Sequence, residues 1–158
     1  MSDAISELAA AGASTRWIMT VGFVVFGVAV PIYATALRSA LPGRAWISLA
    51  VTGLSTLGVA AVPLGWGVDL LHGAFATVGY ITLALAPALG SVELRRHGRR
   101  SAATWSLVAA AAAGLCLLAT VAGPAHGLFQ RLGLTIGDTW IVATALVLVR
   151  GRRLIEPA

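Results

Sequence analysis

Five long apolar stretches dominate the chain, at residues 17–37, 45–64, 70–90, 102–122 and 132–149. Each is about as long as the roughly 20 apolar residues that a helix needs to cross a bilayer. Short connections that carry charged residues, glycine and proline separate the stretches. The pattern predicts an all-α, polytopic integral membrane protein, built as a five-helix transmembrane bundle.

The amino-terminal segment differs from these stretches, because residues 1–16 are too short and too polar to span a bilayer. Ser2 or Asp3 is a suitable cap for a short helix, and Gly12 is a suitable stop. The segment is therefore predicted to lie on the outer membrane surface. The predicted organisation is an outer interfacial segment, 1–16, followed by a single transmembrane helical bundle, 17–158.

Arginine sets the predicted orientation, because all eleven basic residues are arginine. Nine of them lie in the connections 38–44 and 93–100 and in the tail after residue 149, whereas Arg16 and Arg131 lie in the alternate connections. Basic connections of multi-pass proteins stay on the cytoplasmic side. The alternation predicts an amino terminus outside, a carboxyl terminus inside, and a multi-pass protein of the inner (plasma) membrane.

The composition supports a membrane protein, with 58% hydrophobic residues, 11% charged residues and a mean hydropathy of +0.89. A soluble domain carries about 25% charged residues. An isoelectric point near 11.1 is also typical of proteins that bind nucleic acid, but the arginines here form short clusters at predicted membrane edges without interleaved aromatics. Membrane lipids are the predicted partners, and nucleic acid is excluded.

Cys116 is the single cysteine of the chain, so it cannot form an internal disulfide.

Small residues mark the predicted helix contacts. Six consecutive small residues at 109–114 favour a central position for the fourth helix, since small side chains let membrane helices approach closely. Gly133 and Gly137 form a second such face, which fits packing within the chain or between chains. A homo-oligomer or a partner membrane helix is therefore expected.

Pro31 and Pro87 are interpreted as helix kinks.

Unusual polar residues concentrate at the predicted outer half of the bundle. They are Glu7, Asp69, His72, Gln130, Arg131 and Asp138. Asp69 and His72 are three residues apart, so they share a helix face and can form an acid/base pair. The alternative is that Asp69 caps its helix and His72 sits in the headgroup layer.

Arg131 and Asp138 are two helical turns apart on one face, with backbones roughly 10 Å from each other. Asp138 lies well inside the hydrocarbon, where a lone carboxylate costs several kcal/mol. It is predicted to face a pocket, or else to latch two helices together. Trp140 lies near mid-membrane and needs a partner for its indole N–H or a pocket. The prediction is one cavity that His72 and Arg131 face, with Asp138 at its floor and Trp140 on its wall.

Recognised catalytic and metal motifs are absent from the chain. It contains no P-loop, no GxSxG, no HExxH and no CxxC. His72 and His126 are not at a recognised ligand spacing, so neither a metal site nor a cofactor is predicted.

Three short stretches resemble, in order and spacing, a bacterial multi-pass membrane family, "domain of unknown function 998". They are Ile-Ser-Glu-Leu-Ala-Ala at 5–10, His-Gly-Ala-Phe-Ala at 72–76, and Gly-Leu-Phe-Gln-Arg at 127–131 followed by Trp140. The resemblance implies a small helical membrane protein, common in actinobacteria, with no established activity. It implies shared polar positions at Glu7, His72, Gln130 and Arg131. Family members generally carry a further helix before the first stretch, so this chain is expected to be an amino-terminally short member.

Two functions are compatible with these observations. The favoured one is a protein that binds a lipid or isoprenoid in an outer-leaflet pocket, as an accessory subunit of a membrane complex. Glu7, Gln130, Arg131, Asp138 and Trp140 are its predicted ligand-binding residues. The alternative is a small membrane enzyme acting on a lipid-like substrate, with His72 and Asp69 as the catalytic acid/base pair and Arg131 binding the anionic group.

Overall fold

The computed structural model describes residues 5–122, 125–150 and 154–155. Within them every regular element is helical. A 3-10 helix, the roof helix (Ile5–Ala9), precedes α1 (Arg16–Ala40), α2 (Ala45–Ala61), α3 (Asp69–Arg96), α4 (Arg100–Ala122) and α5 (His126–Val149). The predicted caps Ser2 and Asp3 and the tail arginines Arg152 and Arg153 lie outside the described residues.

The helix lengths confirm a membrane-embedded helical protein. Of the helices in the described ranges, α1, α3, α4 and α5 are long and apolar enough to cross a membrane, whereas α2 has 17 residues. The second helix was predicted to reach residue 64, but it ends at Ala61. Pro63 explains this end, because proline disfavours helical backbone at the residue before it. Whether all five helices span remains a prediction.

Consecutive helices pack against one another, and α3 also contacts α5. Two helices have three helical neighbours each: α3 contacts α2, α4 and α5, and α5 contacts α1, α3 and α4, whereas α4 packs mainly against α3 and α5. The prediction that the fourth helix is central was wrong. Within its run of small residues at 109–114, only Ala110 and Ala113 are buried, and the large side chains of Leu115 and Leu118 are exposed.

Glycines set the closest helix approaches. A Cβ added to Gly53 would collide with the ring of Pro31, so α1 and α2 cross tightly there. A Cβ at Gly137 would come within 2.6 Å of the Leu83 side chain, and one at Gly133 within 3.1 Å of Cys116 Cβ. The predicted small-residue face of α5 is thus already filled inside the chain, and an oligomer would need another surface.

The two ends of the bundle are built differently. At the arginine end, α1, α3 and α5 finish and α2 and α4 begin. The described arginines at this end are Arg38, Arg44, Arg95, Arg96, Arg99, Arg100 and Arg150. The opposite end, where the roof helix lies, is the roofed end, and hydrogen bonds there tie the amino-terminal segment to the bundle and to itself. The Ile5 amide donates to Gln130 Oε1 at 2.8 Å, and the Ala11 amide donates to the Leu64 carbonyl at 3.0 Å. The Thr15 hydroxyl donates to the carbonyl oxygen of Leu8.

Candidate functional site

A cavity of about 500 Å³, the roofed cavity, lies between α1, α2, α3 and α5 beneath the roof helix. Most of its wall is apolar. Its aromatic lining residues are Phe23, Phe26, Phe75 and Tyr80, and its polar ones are Ser6, Thr52, Thr56, Arg131, Thr135 and Asp138. Ile5 and Ser6 of the roof helix line its roofed end.

The cavity exists because α1 and α5 approach each other at few positions. Towards the arginine end they are joined by a 2.7 Å hydrogen bond from the Tyr33 hydroxyl to Thr144 Oγ1. Towards the roof they are joined indirectly, through the Ile5–Gln130 bond. Gly22 of α1 has open space in front of it, since no atom would lie within 4 Å of an added Cβ. The missing side chain therefore contributes volume to the cavity.

One face of α5 carries the charged groups of the cavity. Arg131, Leu134, Thr135 and Asp138 line it, and their spacing of three, four and seven residues defines one helix face. The predicted shared stripe of Arg131 and Asp138 is therefore present. Asp138 Oδ1 is buried and, among the described residues, has no hydrogen-bond partner. A buried acceptor without a donor costs about 1–3 kcal/mol, so its retention needs an explanation.

Two of the cavity threonines, Thr52 and Thr56, bond to carbonyls of their own helix. Thr56 donates to the Thr52 carbonyl at 2.9 Å, and Thr52 bonds to the Ser48 carbonyl at 3.0 Å. Each hydroxyl proton is thus used locally, as is common for threonine in membrane helices. Besides hydroxyl groups, the mostly apolar cavity is lined by the Arg131 guanidinium and, deeper, by the Asp138 carboxylate.

Gln130 and Glu7 lie beside this cavity in different ways. Gln130 holds the roof through the Ile5 amide, so its visible contact is with the protein itself. Glu7 is exposed on the roof helix, next to the lining residues Ile5 and Ser6. Neither side chain is brought to the cavity wall beside Arg131 and Asp138.

The predicted Asp69–His72 pair is not formed. Asp69 Oδ1 accepts from the Gly65 amide at 2.8 Å, and His72 Nδ1 donates to the Val62 carbonyl at 2.6 Å. The turn between α2 and α3 supplies both partners, because Pro63 ends α2 there and frees its backbone. His72 is only 3% exposed, and its Nε2 has no partner within the described ranges. His72 lies on the same helix face as the cavity-lining Phe75, one helical turn nearer the roof helix.

Trp140 lies on a different face of α5 from the one predicted. It is two residues from Asp138, which is about 200° around a helix, so the two side chains cannot line one wall. Its indole N–H donates to Ser106 Oγ at 2.9 Å, which confirms the expected need for a partner. The ring also packs over Gly90, where an added Cβ would come within 2.8 Å of it. Trp140 therefore joins α3, α4 and α5.

The aromatic wall was missed from the sequence. Phe23 and Phe26 are three residues apart on α1, and Phe75 and Tyr80 lie on α3. Phenylalanine in an apolar helix has no polarity to mark it as facing a cavity rather than lipid. The three-residue spacing on α1 was the one available signal. No group of three or more His, Cys, Asp or Glu side chains comes together in the described parts of the chain.

Comparison with known proteins identifies the family. The profile described as "Protein of unknown function (DUF998)" matches residues 1–147, which is most of the chain, and the chain therefore belongs to this family. The expected resemblance is thus confirmed. No curated protein and no solved structure matches the chain significantly.

Proposed function

We propose that the protein binds a membrane amphiphile, a lipid or an isoprenoid, in the roofed cavity. The observation that carries the proposal is Asp138, whose buried Oδ1 lacks a donor at the edge of an apolar cavity. An ionisable group inside a membrane span usually faces a pocket or a pathway. A bound hydroxyl or amine would provide the missing hydrogen bond.

The distribution of polarity along the cavity matches an amphiphile. Arg131 lies two turns nearer the roof than Asp138, so an anionic group would bind at the outer end. Guanidinium holds phosphate or carboxylate through paired N–H donors. Phe23, Phe26 and Phe75 offer an apolar wall for a hydrocarbon or isoprenoid body. The volume of about 500 Å³ lies within the usual range of small-molecule sites, roughly 300–1,000 Å³.

The arginine distribution supports an outer-leaflet position for this site. Seven described arginines lie at the arginine end, and the roofed end carries Arg16 and Arg131. By the positive-inside rule the roofed end would face outward, and the protein would be a multi-pass component of the plasma membrane. An accessory subunit that holds a lipid for a membrane complex fits this position.

The alternative of a small membrane enzyme has less support. It requires Asp69 and His72 to act together on a substrate that Arg131 holds. Asp69 bonds to the Gly65 amide and His72 to the Val62 carbonyl, so neither is oriented towards the other.

Lipid retention tests the proposal. Protein purified in a mild detergent would be extracted, and its bound lipids measured by mass spectrometry per mole of folded protein. Gly22→Leu fills the cavity from α1 and should remove most of the bound amphiphile. Gly114→Leu is the matched control, because Gly114 also has open space in front of it but does not line the cavity.

Charge variants identify how the ligand is held. Arg131→Gln should remove ligands with an anionic group, and Asp138→Asn should weaken retention less, since an amide oxygen still accepts a hydrogen bond.

Equal amphiphile retention by wild type, Gly22→Leu and Gly114→Leu would contradict binding in the roofed cavity.

A further inference from the structure

A second recess, the α4–α5 groove, opens on the bundle surface towards the arginine end. Its volume is about 910 Å³, and its walls come mainly from α4 and α5. It shares Thr135 with the roofed cavity but otherwise uses the opposite face of α5, which includes Trp140 and Ala143. The groove is therefore a separate surface with its own chemistry.

Small side chains create the groove. Ala102, Ser106 and Ala109 follow one face of α4, and Thr139 and Ala143 follow the facing side of α5. The polar groups on its floor are satisfied internally. Trp140 donates to Ser106, and the Thr139 hydroxyl donates to the Thr135 carbonyl at 2.6 Å. The body of the groove thus presents a surface suited to a hydrocarbon chain.

A tight turn sets arginines at one end of this groove. Gly98, at φ 74°, follows the end of α3, and the Arg99 amide returns to the Leu94 carbonyl at 2.8 Å. The Gly98 amide bonds to the Arg95 carbonyl, which completes a Schellman turn. α4 then starts at once, so Arg99, Arg100 and the first turn of α4 line the groove mouth.

The mouth is an anion-binding environment for two independent reasons. Arg100 is exposed there, and Arg99 is held at the mouth by a 3.1 Å bond from its Nε to the Leu154 carbonyl. The Arg99 and Arg100 amides are bonded within the turn, but the amino-terminal end of α4 still carries the partial positive charge of the helix dipole. Trp105, 70% exposed and one turn into α4, has the interfacial position typical of membrane tryptophans.

We propose that the α4–α5 groove binds one anionic phospholipid. The phosphate would lie at Arg100 and the first turn of α4, and one acyl chain would follow the small-residue faces past Ser106 to Ala143. Charge complementarity at the mouth selects an anionic headgroup over a zwitterionic one. The apolar body selects a lipid over free phosphate.

The test compares phosphatidylglycerol with phosphatidylcholine of matched chains in mixed nanodiscs, with bound lipid counted by native mass spectrometry. Arg100→Gln should lower the preference for phosphatidylglycerol roughly fivefold, as expected for one interfacial arginine. Arg96→Gln is the matched control, since Arg96 is exposed at the same end, pairs with Glu93 and does not line the groove.

The chain site is tested separately. Ala143→Phe and Thr139→Phe fill the groove and should displace both lipids, whereas Ala111→Phe, on an exposed position of α4 outside the groove, should not. Because Ala143, Thr139 and Ala111 are all exposed, melting temperatures should stay close to that of the wild type.

Three results would overturn the proposal. One is an equal loss of phosphatidylglycerol preference in Arg96→Gln and Arg100→Gln, which would indicate diffuse surface charge. Another is displacement of the lipid by inorganic phosphate with no effect of Ala143→Phe. The third is a dimer that covers the groove and is dissociated by Ala143→Phe. Gly22→Leu should leave groove binding unchanged, which separates this site from the roofed cavity.

Discussion

The arginine end and the roofed end both carry polar groups, but these groups are exposed at the arginine end and partly buried at the roofed end. At the arginine end, Leu37, Leu41 and Leu94 are at most 2% exposed and form a closed core. The arginine side chains there are exposed, and several have local partners. Arg96 pairs with Glu93 at 2.8 Å, and Arg38 lies 4.9 Å from the Trp46 ring centroid.

At the roofed end, polar atoms are buried without hydrogen-bond partners. Within the described residues three side-chain atoms are in this state, and all lie at the roof or along the cavity beneath it: Arg16 Nε, His72 Nε2 and Asp138 Oδ1. Arg16 does stack near the rings of Trp17 and Trp66, at 5.2 Å from each centroid. Such atoms are costly, so their concentration in one half indicates that this half is shaped for something other than stability.

The largest expected effect concerns which end faces the cell exterior. We expect Val68→Cys, in a Cys116→Ala background, to react with an impermeant maleimide on intact cells. His97→Cys should react only after the membrane is opened. Both positions are exposed, so access rather than burial decides the result. Labelling of position 97 and protection of position 68 on intact cells would reverse the orientation and move the roofed cavity to the cytoplasmic leaflet.

The second prediction compares the same glycine-to-leucine substitution in the closed core and in the roofed cavity. Gly90→Leu forces a side chain against Trp140 and Leu41, so it should destabilise the fold by about 1–3 kcal/mol. Gly22→Leu enters open space and gains helix propensity, so the purified, delipidated protein should be as stable as the wild type or more so. Thermal unfolding in one detergent measures both. Equal destabilisation would mean that the cavity is not open in the free protein.

A third prediction compares an unpaired polar group with a paired one on the same helix. In delipidated protein, Asp138→Leu removes a buried acceptor without a donor and should stabilise the fold by about 1 kcal/mol. Trp140→Phe breaks the bond to Ser106 and should destabilise it by about the same amount. Denaturation midpoints measured side by side decide the sign. Destabilisation by Asp138→Leu would show that the carboxylate is a structural latch.

Part of the cavity could be predicted because helix periodicity is a local property. Arg131 and Asp138 are seven residues apart, and this spacing alone puts them on one face of α5. The rotation of α5 against its neighbours is not local, so the sequence did not reveal that Trp140 meets Ser106 on α4. The packing of α5 against its neighbours determines whether the Asp138 face or the Trp140 face lines the cavity.

The Asp69–His72 prediction failed for a different reason. A spacing of three residues makes contact possible, but nearby backbone groups compete for the same side chains. Once Pro63 ends α2, the turn offers the Val62 carbonyl to His72 and the Gly65 amide to Asp69. Turn geometry of this kind depends on how α2 and α3 meet, which the spacing of side chains does not encode.

The smallest expected effect concerns the roof itself. Gln130→Ala removes the acceptor of the Ile5 amide, whereas Gln130→Glu keeps an oxygen there. One hydrogen bond contributes about 0.5–1.5 kcal/mol, so amide hydrogen exchange across the roof helix should accelerate by about tenfold or less in Gln130→Ala. Exchange in the arginine-end core should not change, because Leu37 and Leu94 lie at the other end of the bundle. Unchanged exchange at the roof in Gln130→Ala would show that packing of Ala9, 5% exposed, holds the roof without Gln130.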